Sequence, residues 1–319
     1  MSDWIDCEMQ VIRSFAEIKD SVKGCILALG TFDGVHLGHR EIISKAKKYA
    51  NEKKLKTIIF SFSNHPFVHL KPEQVPYMLL NNEDKDSIIE ELGVDVLINV
   101  AFDQELANLE AKEFIDLLYQ YLQPLKIVVG ENFTYGKFGA GNVITLSKEC
   151  KLRNIELAIQ PLIRIDDLLV SSTNIRQAIT LGEISLANLL LARTHFIQGK
   201  VVKGSQIGRT IGFPTANLEL LGLNLAIPAN GVYVAKVLTE SKQEFYAIAN
   251  IGTNHTVKST MDKRLEVHIL NFQGDIYGEK LRVYFYEKIR LEQKFNSLQE
   301  LAEQLYRDKN FVLNYFSLV

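Results

Sequence analysis

The stretch that most constrains the fold is GTFDGVHLGH, which runs from Gly30 to His39. An apolar run from Gly24 to Leu29 precedes it, and an amphipathic segment from Arg40 to Ala50 follows it. This order predicts a strand, a tight turn and a helix. Glycines let the backbone approach a ligand closely, and the first turn of a helix offers unpaired N–H groups to an anion. Because His36 and His39 are three residues apart at that helix start, the stretch predicts a phosphate site.

Strands and helices alternate through the first half of the chain. Strands are predicted at 56–62, 94–100, 126–129 and 155–159, and helices at 81–92 and 102–122. This alternation is typical of an α/β domain with a parallel sheet, which binds ligands at the carboxyl ends of its strands. Gly30, Ser63 and Gly130 each follow a predicted strand, so we expect them at one edge of the sheet.

Composition fits a two-domain globular protein. The chain has 319 residues, of which 47% are hydrophobic and 23% charged. A net charge of −2 predicts no bulk attraction to nucleic acid or membranes. Cys7, Cys25 and Cys150 lack metal-type spacing and are interpreted as free thiols. With no secretory signal and no apolar run near the roughly 18 residues of a membrane span, we expect a cytoplasmic protein.

Two further segments of the first half are candidates for ligand contact. The glycine-bearing segment from Gly130 to Gly136 suits a loop that closes over a ligand, although a plain surface turn would have the same pattern. The segment Ser171-Ser172-Thr173-Asn174-Ile175-Arg176 places hydroxyls at a helix cap, which capping alone would explain. Arg176, however, is unfavourable near a helix N-terminus, which suggests a bound anion there.

The pattern changes beyond a helix predicted at 181–192, and we place a domain boundary near Gly182. Short strands with glycine turns follow, at 196–202, 231–238, 244–251, 264–272 and 280–289. Consecutive strands without intervening helices predict an antiparallel barrel or sandwich. An amphipathic helix at 297–307 would pack on its outside.

A second glycine-rich segment, from Gly204 to Asn217, separates the first two of these strands. Its backbone amides suit phosphates, and Arg209 adds charge. Thr215 and Asn217 are two residues apart in an extended segment and so share a face. Both carry neutral oxygens of the kind that Mg²⁺ accepts.

The predicted strand LEVHI buries Leu265, Val267 and Ile269 on one face and turns Glu266 and His268 to the other. If the second face is solvent, Glu266 is an ordinary surface charge. If that face lines the barrel mouth, Glu266 is a candidate general base. Spacing alone does not decide between these two.

Together these residues resemble the bifunctional riboflavin kinase/FAD synthetases of bacteria. The motifs that carry the resemblance occur in the family's order over about Gly24 to Asp308: GTFDGVHLGH, SSTNIR, GRTIGFPTANL, ANGVYVAKV, ANIGT, LEVHILNF, DIYG and IRLEQKF. The first motif alone marks only a nucleotidyltransferase superfamily, whereas its combination with the PTAN segment is specific.

The resemblance implies a Rossmann-like nucleotidyltransferase domain over 1–182 that adenylylates FMN to FAD. It also implies an antiparallel β-barrel with a C-terminal helix over 183–319 that phosphorylates riboflavin to FMN. ATP, riboflavin and FMN would be substrates, FAD the product and Mg²⁺ the cofactor. The partners would be these small molecules, with no nucleic acid, no membrane and at most a weak homo-oligomer.

The resemblance also implies roles for particular residues. His36 and His39 would stabilise the transferred phosphoryl group, and Glu266 would activate the ribityl 5′-hydroxyl. Thr215 and Asn217 would hold Mg²⁺, and Asn132 and Arg290 would contact the flavin. The residues implied to bind ATP or its phosphates are Gly30, Phe32, Asp33, Gly34, Ser171, Ser172, Thr173, Arg176, Gly204, Gly208, Arg209, Gly212, Thr215 and Asn217.

The chain departs from the family pattern at three places. Asn174 replaces an arginine of the SSTRIR segment and removes one phosphate-binding charge. Asn254-His255 replaces an arginine-proline pair, and Ser63-Asn64 precedes the first-domain His-Pro. The alternatives are a chain that retains only one activity, a nucleotidyltransferase for another phosphorylated vitamin precursor, and a non-catalytic regulator that binds flavin or nucleotide.

Overall fold

We analysed a computed structural model of the chain, which describes residues 8–204, 208, 212–220, 224–253 and 263–318. The chain divides after Ser172 into two compact units, Met1–Ser172 and Thr173–Val319. None of the helices within the described ranges has the length and hydropathy needed to cross a bilayer.

The first unit is built on a six-stranded sheet, and the prediction that its strands are parallel is confirmed. Its strands are β1 (Gln10–Ile12), β2 (Ile26–Leu29), β3 (Thr57–Phe62), β4 (Val96–Val100), β5 (Lys126–Gly130) and β6 (Glu156–Gln160). Their spatial order is β1-β4-β3-β2-β5-β6. Every residue of β2 and β4 is buried, because the central strands of a parallel sheet are covered on both faces. β1 pairs with β4 at one edge and was not predicted, since its three residues show no clear alternation.

Helices flank this sheet. They are α1 (Leu37–Lys53), α2 (Phe67–Leu70), α3 (Asn82–Glu91), α4 (Gln104–Asn108), α5 (Ala111–Leu122) and α6 (Val143–Leu152). Single 3-10 turns occur at Phe15–Glu17, Asp20–Val22, Pro72–Gln74 and Lys137–Gly139, and a small β7–β8 pair at Arg164–Ile165 and Leu168–Leu169. α1 packs on β2, β3 and β5 and thereby fixes the turn that leads into it.

The single helix predicted at 102–122 is wrong, because two helices occupy this range. Leu109 has an extended backbone, and Glu110 begins α5 with a capping box in which its N–H donates to Glu113 Oε2 at 2.9 Å. The apolar spacing continues across the break, so periodicity did not reveal it.

The second unit contains a closed antiparallel barrel, which confirms the predicted barrel. Its strands are β9 (His195–Val202), β10 (Ala216–Leu220), β11 (Gly231–Leu238), β12 (Glu244–Thr253), β13 (Lys263–Ile269) and β14 (Lys280–Arg290). Their order is β10-β13-β12-β11-β14-β9, and β9 pairs with β10 to close the barrel. Its interior is apolar and includes Leu218, Ile251, Leu265 and Val267.

The helices in the described part of this half of the chain are α7 (Ser172–Leu181), α8 (Ile184–Leu191) and α9 (Leu298–Leu318). α8 packs on β9 and β14, and α9 packs on β11 and β12. The prediction that the C-terminal helix lies outside the barrel is confirmed, because Val312 of α9 packs with Val232, Val234 and Ile248 on the barrel's outer surface. Its predicted end at Arg307 is wrong, since the helix continues to Leu318.

The cysteines behave as predicted where the structure describes them. Cys25 and Cys150 are free and buried in the core of the first unit. Burial raises the pKa of Cys25 to about 12 and that of Cys150 to about 11. Neither thiol is therefore a nucleophile at neutral pH. Cys7 lies outside the described residues.

Candidate active sites

The turn after β2 is held in an unusual backbone conformation. Phe32 and Val35 have φ angles of 47° and 41° although neither is glycine, and both side chains are fully buried. Asp33 anchors the turn, because its Oδ1 accepts a hydrogen bond from Leu79 N at 2.9 Å. The carbonyl oxygen of Asp33 accepts another from Ser172 Oγ at 2.9 Å. A rare conformation that its surroundings enforce in this way is typical of ligand-binding turns.

The two histidines are brought together at the start of α1, as the spacing predicted. His36 is the N-cap residue, and its Nδ1 accepts a hydrogen bond from His39 N at 3.4 Å. The two rings are stacked, with centroids 3.6 Å apart and planes 16° from parallel. His39 Nδ1 is shielded from solvent and has no hydrogen-bond partner among the described residues. A buried polar atom without a partner is costly unless a ligand satisfies it.

His39 is a neutral group at physiological pH. Burial, and then the neighbouring His36 and Lys85, lower the pKa of His39 well below its usual value. Its contribution to a phosphate site is therefore a directed hydrogen bond, not a positive charge.

Positive charge at this sheet edge comes from Lys85, which sequence reasoning missed. Lys85 lies on α3, is 2% exposed and donates from Nζ to Phe62 O at 2.6 Å and Asn99 Oδ1 at 2.9 Å. Burial lowers the pKa of Lys85 to about 8, while the Asp33 carboxylate opposes the shift. The available signal was its position: Lys85 shares one face of the predicted helix with Ile88 and Ile89, where a lysine is unusual.

The loop after β5 also begins at this edge. Asn132 is exposed. Its Oδ1 lies close to Gly130, because a Cβ atom placed on Gly130 would be 3.2 Å from that oxygen. Phe133 stacks on Tyr135, with ring centroids 5.6 Å apart. The loop is thus anchored by its aromatic residues and leaves Asn132 accessible to a ligand.

The segment from Ser171 to Arg176 crosses the division of the chain. Ser171 and Ser172 belong to the first unit, whereas Thr173 and Arg176 lie in the second unit's α7. The helix begins at Ser172, as the hydroxyl-rich cap predicted. The phosphate-binding roles of these residues remain predictions.

In the barrel, three polar residues form one row across neighbouring strands. Asn217 of β10 pairs in register with Glu266 of β13, and Glu266 pairs with Asn250 of β12. Residues that are directly opposite in an antiparallel pair have Cβ atoms roughly 5 Å apart. Their sequence neighbours Leu218, Leu265 and Ile251 face the interior, so the row lies on the outer surface of the barrel.

The face that carries Glu266 is partly covered. His268, on the same face, is 9% exposed, and its Nδ1 lies 2.8 Å from Pro214 O. The Phe213 ring packs on it at 4.9 Å. The Glu266 side chain is 26% exposed and accepts a hydrogen bond from Arg264 Nη1 at 3.2 Å. The predicted burial of Leu265, Val267 and Ile269 on the opposite face is confirmed.

Asn217 is held by a close approach to Gly204. Asn217 is 8% exposed, and a Cβ on Gly204 would lie 2.1 Å from its Nδ2. Gly208 makes a similar approach to the backbone, since a Cβ there would lie 2.2 Å from Phe213 O. Glycine is therefore required at 208, where the collision is with backbone, whereas a side chain at 204 would displace the Asn217 amide. Gly212 has a φ of 81°, which also favours glycine.

These residues suit Mg²⁺ bound largely through phosphates. Thr215 and Asn217 offer neutral oxygens, and no group of three or more His, Cys, Asp or Glu residues within the described ranges could hold a metal. Mg²⁺ commonly keeps waters and phosphate ligands and takes only one or two groups from the protein.

Two protein-family models match the chain, one on each half. The model described as FAD synthetase matches residues 18–174, and the model described as riboflavin kinase matches residues 191–316. A bifunctional riboflavin kinase/FMN adenylyltransferase of Bacillus subtilis is 39% identical, over 94% of this chain and 95% of its own length. The chain belongs to this family. A member from Escherichia coli K12 is 34% identical, over 97% of this chain and 99% of its own length.

A solved structure shares the fold. A protein of Streptococcus pneumoniae, described as a macrolide-efflux protein, is 32% identical to this family member and matches it with a TM-score of 0.87. The match covers 96% of this chain and 99% of the other. The efflux activity named in that description refers to the pneumococcal protein.

The boundary within this family member was predicted at Gly182. The structure divides after Ser172, and the two family models leave 175–190 unmatched. α7 and α8 occupy this stretch, and the assignment of α7 to the first functional domain remains a prediction.

One departure from the family pattern has a structural explanation. Asn64 Nδ2 donates to Phe102 O at 3.0 Å, and Asn64 Oδ1 accepts from Phe102 N at 2.7 Å. Asn64 therefore ties together the loops that follow β3 and β4. Among the other predicted residues, Arg209, Asn254 and His255 lie outside the described residues.

Arg290, predicted to contact flavin, is held by a buried carboxylate. Its Nε and Nη2 donate to Asp308 at 3.1 and 2.8 Å, and Asp308 is 1% exposed. The pair joins the end of β14 to α9. Contact between Arg290 and flavin remains a prediction.

Proposed function

We propose that this chain phosphorylates riboflavin to FMN and then adenylylates FMN to FAD, using one ATP in each step. The observation that carries this proposal is the presence of both family matches in one chain, each on a unit with the appropriate fold. The candidate residues of both sites support it, because His36, His39, Thr215, Asn217 and Glu266 are all present.

In the first unit, an oxygen of the FMN phosphate attacks the α-phosphorus of ATP, the bond to the bridging oxygen breaks, and pyrophosphate leaves. His36 and His39 hydrogen-bond to the α-phosphoryl oxygens, and the charge of Lys85 offsets the negative charge that converges there. Phosphoryl-type transfer depends mainly on positioning and electrostatic stabilisation. No general base is needed, because the attacking phosphate is already an anion.

Other residues of this site bind the substrates. The turn at Gly30, Phe32, Asp33 and Gly34 cradles ATP, and the segment from Ser171 to Arg176 holds the β- and γ-phosphates. Asn132 contacts the flavin. The arrangement of hydroxyls and Arg176 at a helix start supports this assignment, since anions bind at such positions.

In the barrel, the ribityl 5′-hydroxyl attacks the γ-phosphorus of a second ATP and ADP leaves. Glu266 accepts the hydroxyl proton. Thr215 and Asn217 would hold Mg²⁺, which would neutralise phosphate charge. The glycines at 204, 208 and 212, with Arg209, surround the ATP phosphates. Arg290 contacts the flavin while Asp308 holds its Nε and Nη2.

The test is incubation with riboflavin, ATP and Mg²⁺ and time-resolved chromatography of the products. We expect FMN to appear first and FAD to follow. Glu266→Gln should lower the rate of FMN formation by about 10²-fold or more, since general bases contribute about that much. The same variant should convert added FMN to FAD normally, whereas His36→Ala should show the reverse pattern.

The alternatives give other results. FMN as the only product, together with failure to adenylylate added FMN, would mean that only the kinase is active. FAD formed only from added FMN would mean that only the adenylyltransferase is active. Tight binding of flavin or nucleotide without turnover would support a regulator, and turnover of another phosphorylated vitamin precursor in preference to FMN would support the remaining alternative.

A further inference from the structure

One buried polar atom of the barrel makes no hydrogen bond to the described residues. Asn250 Oδ1 is shielded from solvent and has no hydrogen-bond partner among the described residues. The side-chain amide is nevertheless fixed in orientation, because Asn250 Nδ2 donates to Glu292 Oε1 at 3.3 Å. The amide nitrogen is therefore anchored and the oxygen is left to accept a hydrogen bond. Such an atom is costly unless a ligand supplies the donor.

The position of Asn250 indicates which ligand would supply it. Asn250 lies directly opposite Glu266 on the neighbouring strand, on the same outer face of the barrel. Glu266 in turn lies opposite Asn217. A side chain whose Cβ lies about 5 Å from the Cβ of the proposed base is within reach of the same substrate chain, and the substrate proposed above carries a polyhydroxylated ribityl chain.

We propose that Asn250 binds the substrate of the barrel site by accepting a hydrogen bond from a ribityl hydroxyl of riboflavin. This inference rests on the proposed riboflavin kinase activity. It adds a specificity determinant, because a flavin without the hydroxylated chain would leave Asn250 Oδ1 unsatisfied. A neutral acceptor suits this role, since a hydroxyl donates to it without a proton transfer that would compete with Glu266.

The test compares Asn250→Leu, which has a similar size and no acceptor, with the wild-type full-length protein. The KM for riboflavin should rise about tenfold, as expected for the loss of one buried neutral hydrogen bond. The KM for ATP and the Mg²⁺ dependence should be unchanged. Lumiflavin, a flavin without the ribityl chain, should inhibit both proteins with the same Ki.

Asn230→Leu is the matched control, because Asn230 Nδ2 also donates to the Glu292 carboxylate, at 3.4 Å. It should leave the KM for riboflavin unchanged, and thermal melting should show that both variants are folded. An unchanged riboflavin KM in Asn250→Leu would overturn the inference. Equal weakening of lumiflavin, a similar change in Asn230→Leu, or an altered Mg²⁺ dependence would overturn it as well.

Failure of the proposed function is distinguishable from failure of this inference. If the wild-type protein formed no FMN, the kinase proposal would fall. Riboflavin binding measured by flavin fluorescence would then test Asn250 independently. Weaker binding of riboflavin but not lumiflavin by Asn250→Leu would uphold the contact, and equal binding would reject it.

Discussion

His195 shows how one buried side chain couples stability to pH. His195 is 2% exposed in β9, and neither ring nitrogen has a hydrogen-bond partner among the described residues. Burial, with a smaller effect of Arg193, lowers the pKa of His195 to about 3. In the unfolded chain a histidine titrates near 6.5. Between these values the unfolded chain binds one more proton, so the free energy of unfolding decreases as the pH falls.

We therefore expect His195→Leu to reduce the acid sensitivity of the protein. From pH 7 to pH 5, the wild type should lose about 2 kcal/mol more unfolding free energy than this variant. Urea unfolding followed by circular dichroism at both pH values measures the difference. His69→Leu is the control, because His69 is solvent-exposed. An equal loss in the wild type and His195→Leu would contradict the prediction.

Lys85 should give the adenylyltransferase an alkaline limb. As the pH rises through about 8, Lys85 loses the charge that reaches His39 and Asp33, so FAD formation from FMN should slow. Lys85→Met should lower the activity below pH 8, by about tenfold as a rough figure for one charge-assisted contact, and abolish the limb. The barrel activity of the same protein is the internal control. An identical limb in both activities would assign it to another group.

These residues also show why the sites were only partly predictable. His36 and His39 were found because three-residue spacing at a helix start has a fixed geometry. Asn217 and Glu266 were found individually, but their direct opposition depends on strand register, which no single segment contains. Lys85 and Asn250 were missed because their significance depends on burial and on partners that are distant in sequence.

At the scale of elements, strongly periodic segments were predicted well and segments defined by tertiary contacts were not. β11 has the predicted bounds, 231–238. β10 was not among the predicted strands, because it follows a glycine-rich segment and is only five residues long. It is a strand because β9 and β13 both require a partner for the barrel to close.

The C-terminal helix gives a second example. Beyond Arg307, the aromatic residues of α9 obscured the helical period. The helix continues because Asp308 binds Arg290 and Val312 packs on the barrel. Neither contact is visible from the helix's own sequence.

The contact between Gly204 and Asn217 links the segment before β10 to the proposed Mg²⁺ site. Gly204→Ala would place a Cβ 2.1 Å from Asn217 Nδ2, so the Asn217 side chain must move. We expect FMN formation to fall by about tenfold or more, the scale of about one lost polar contact. FAD formation from added FMN should be unchanged.

A double-mutant cycle tests this steric explanation. Asn217→Ala removes the three atoms that lie nearest to the new Cβ. Adding Gly204→Ala to Asn217→Ala should therefore cost little further activity, and the two effects should be strongly non-additive. Additive losses would mean that Gly204 acts through the backbone instead.

At the scale of the whole molecule, the two proposed reactions use separate sets of residues. FMN is the product of one reaction and the substrate of the other. It is a small, charged and water-soluble molecule, so it can leave one protein molecule and bind to another. Variants that each lack one activity should consequently complement each other in solution.

We expect an equimolar mixture of Glu266→Gln and His36→Ala to convert riboflavin to FAD, although neither variant does so alone. The His36→Ala protein makes FMN, and the Glu266→Gln protein adenylylates it. FAD formation should begin after a lag, because free FMN must first accumulate to about the KM of the second reaction. Added FMN should abolish the lag. Chromatography of samples taken over time measures both products. Accumulation of FMN without FAD in the mixture would contradict this prediction. The control is the Glu266→Gln protein with added FMN, measured in parallel. Its activity would show that the absence of FAD in the mixture is not due to an inactive adenylyltransferase.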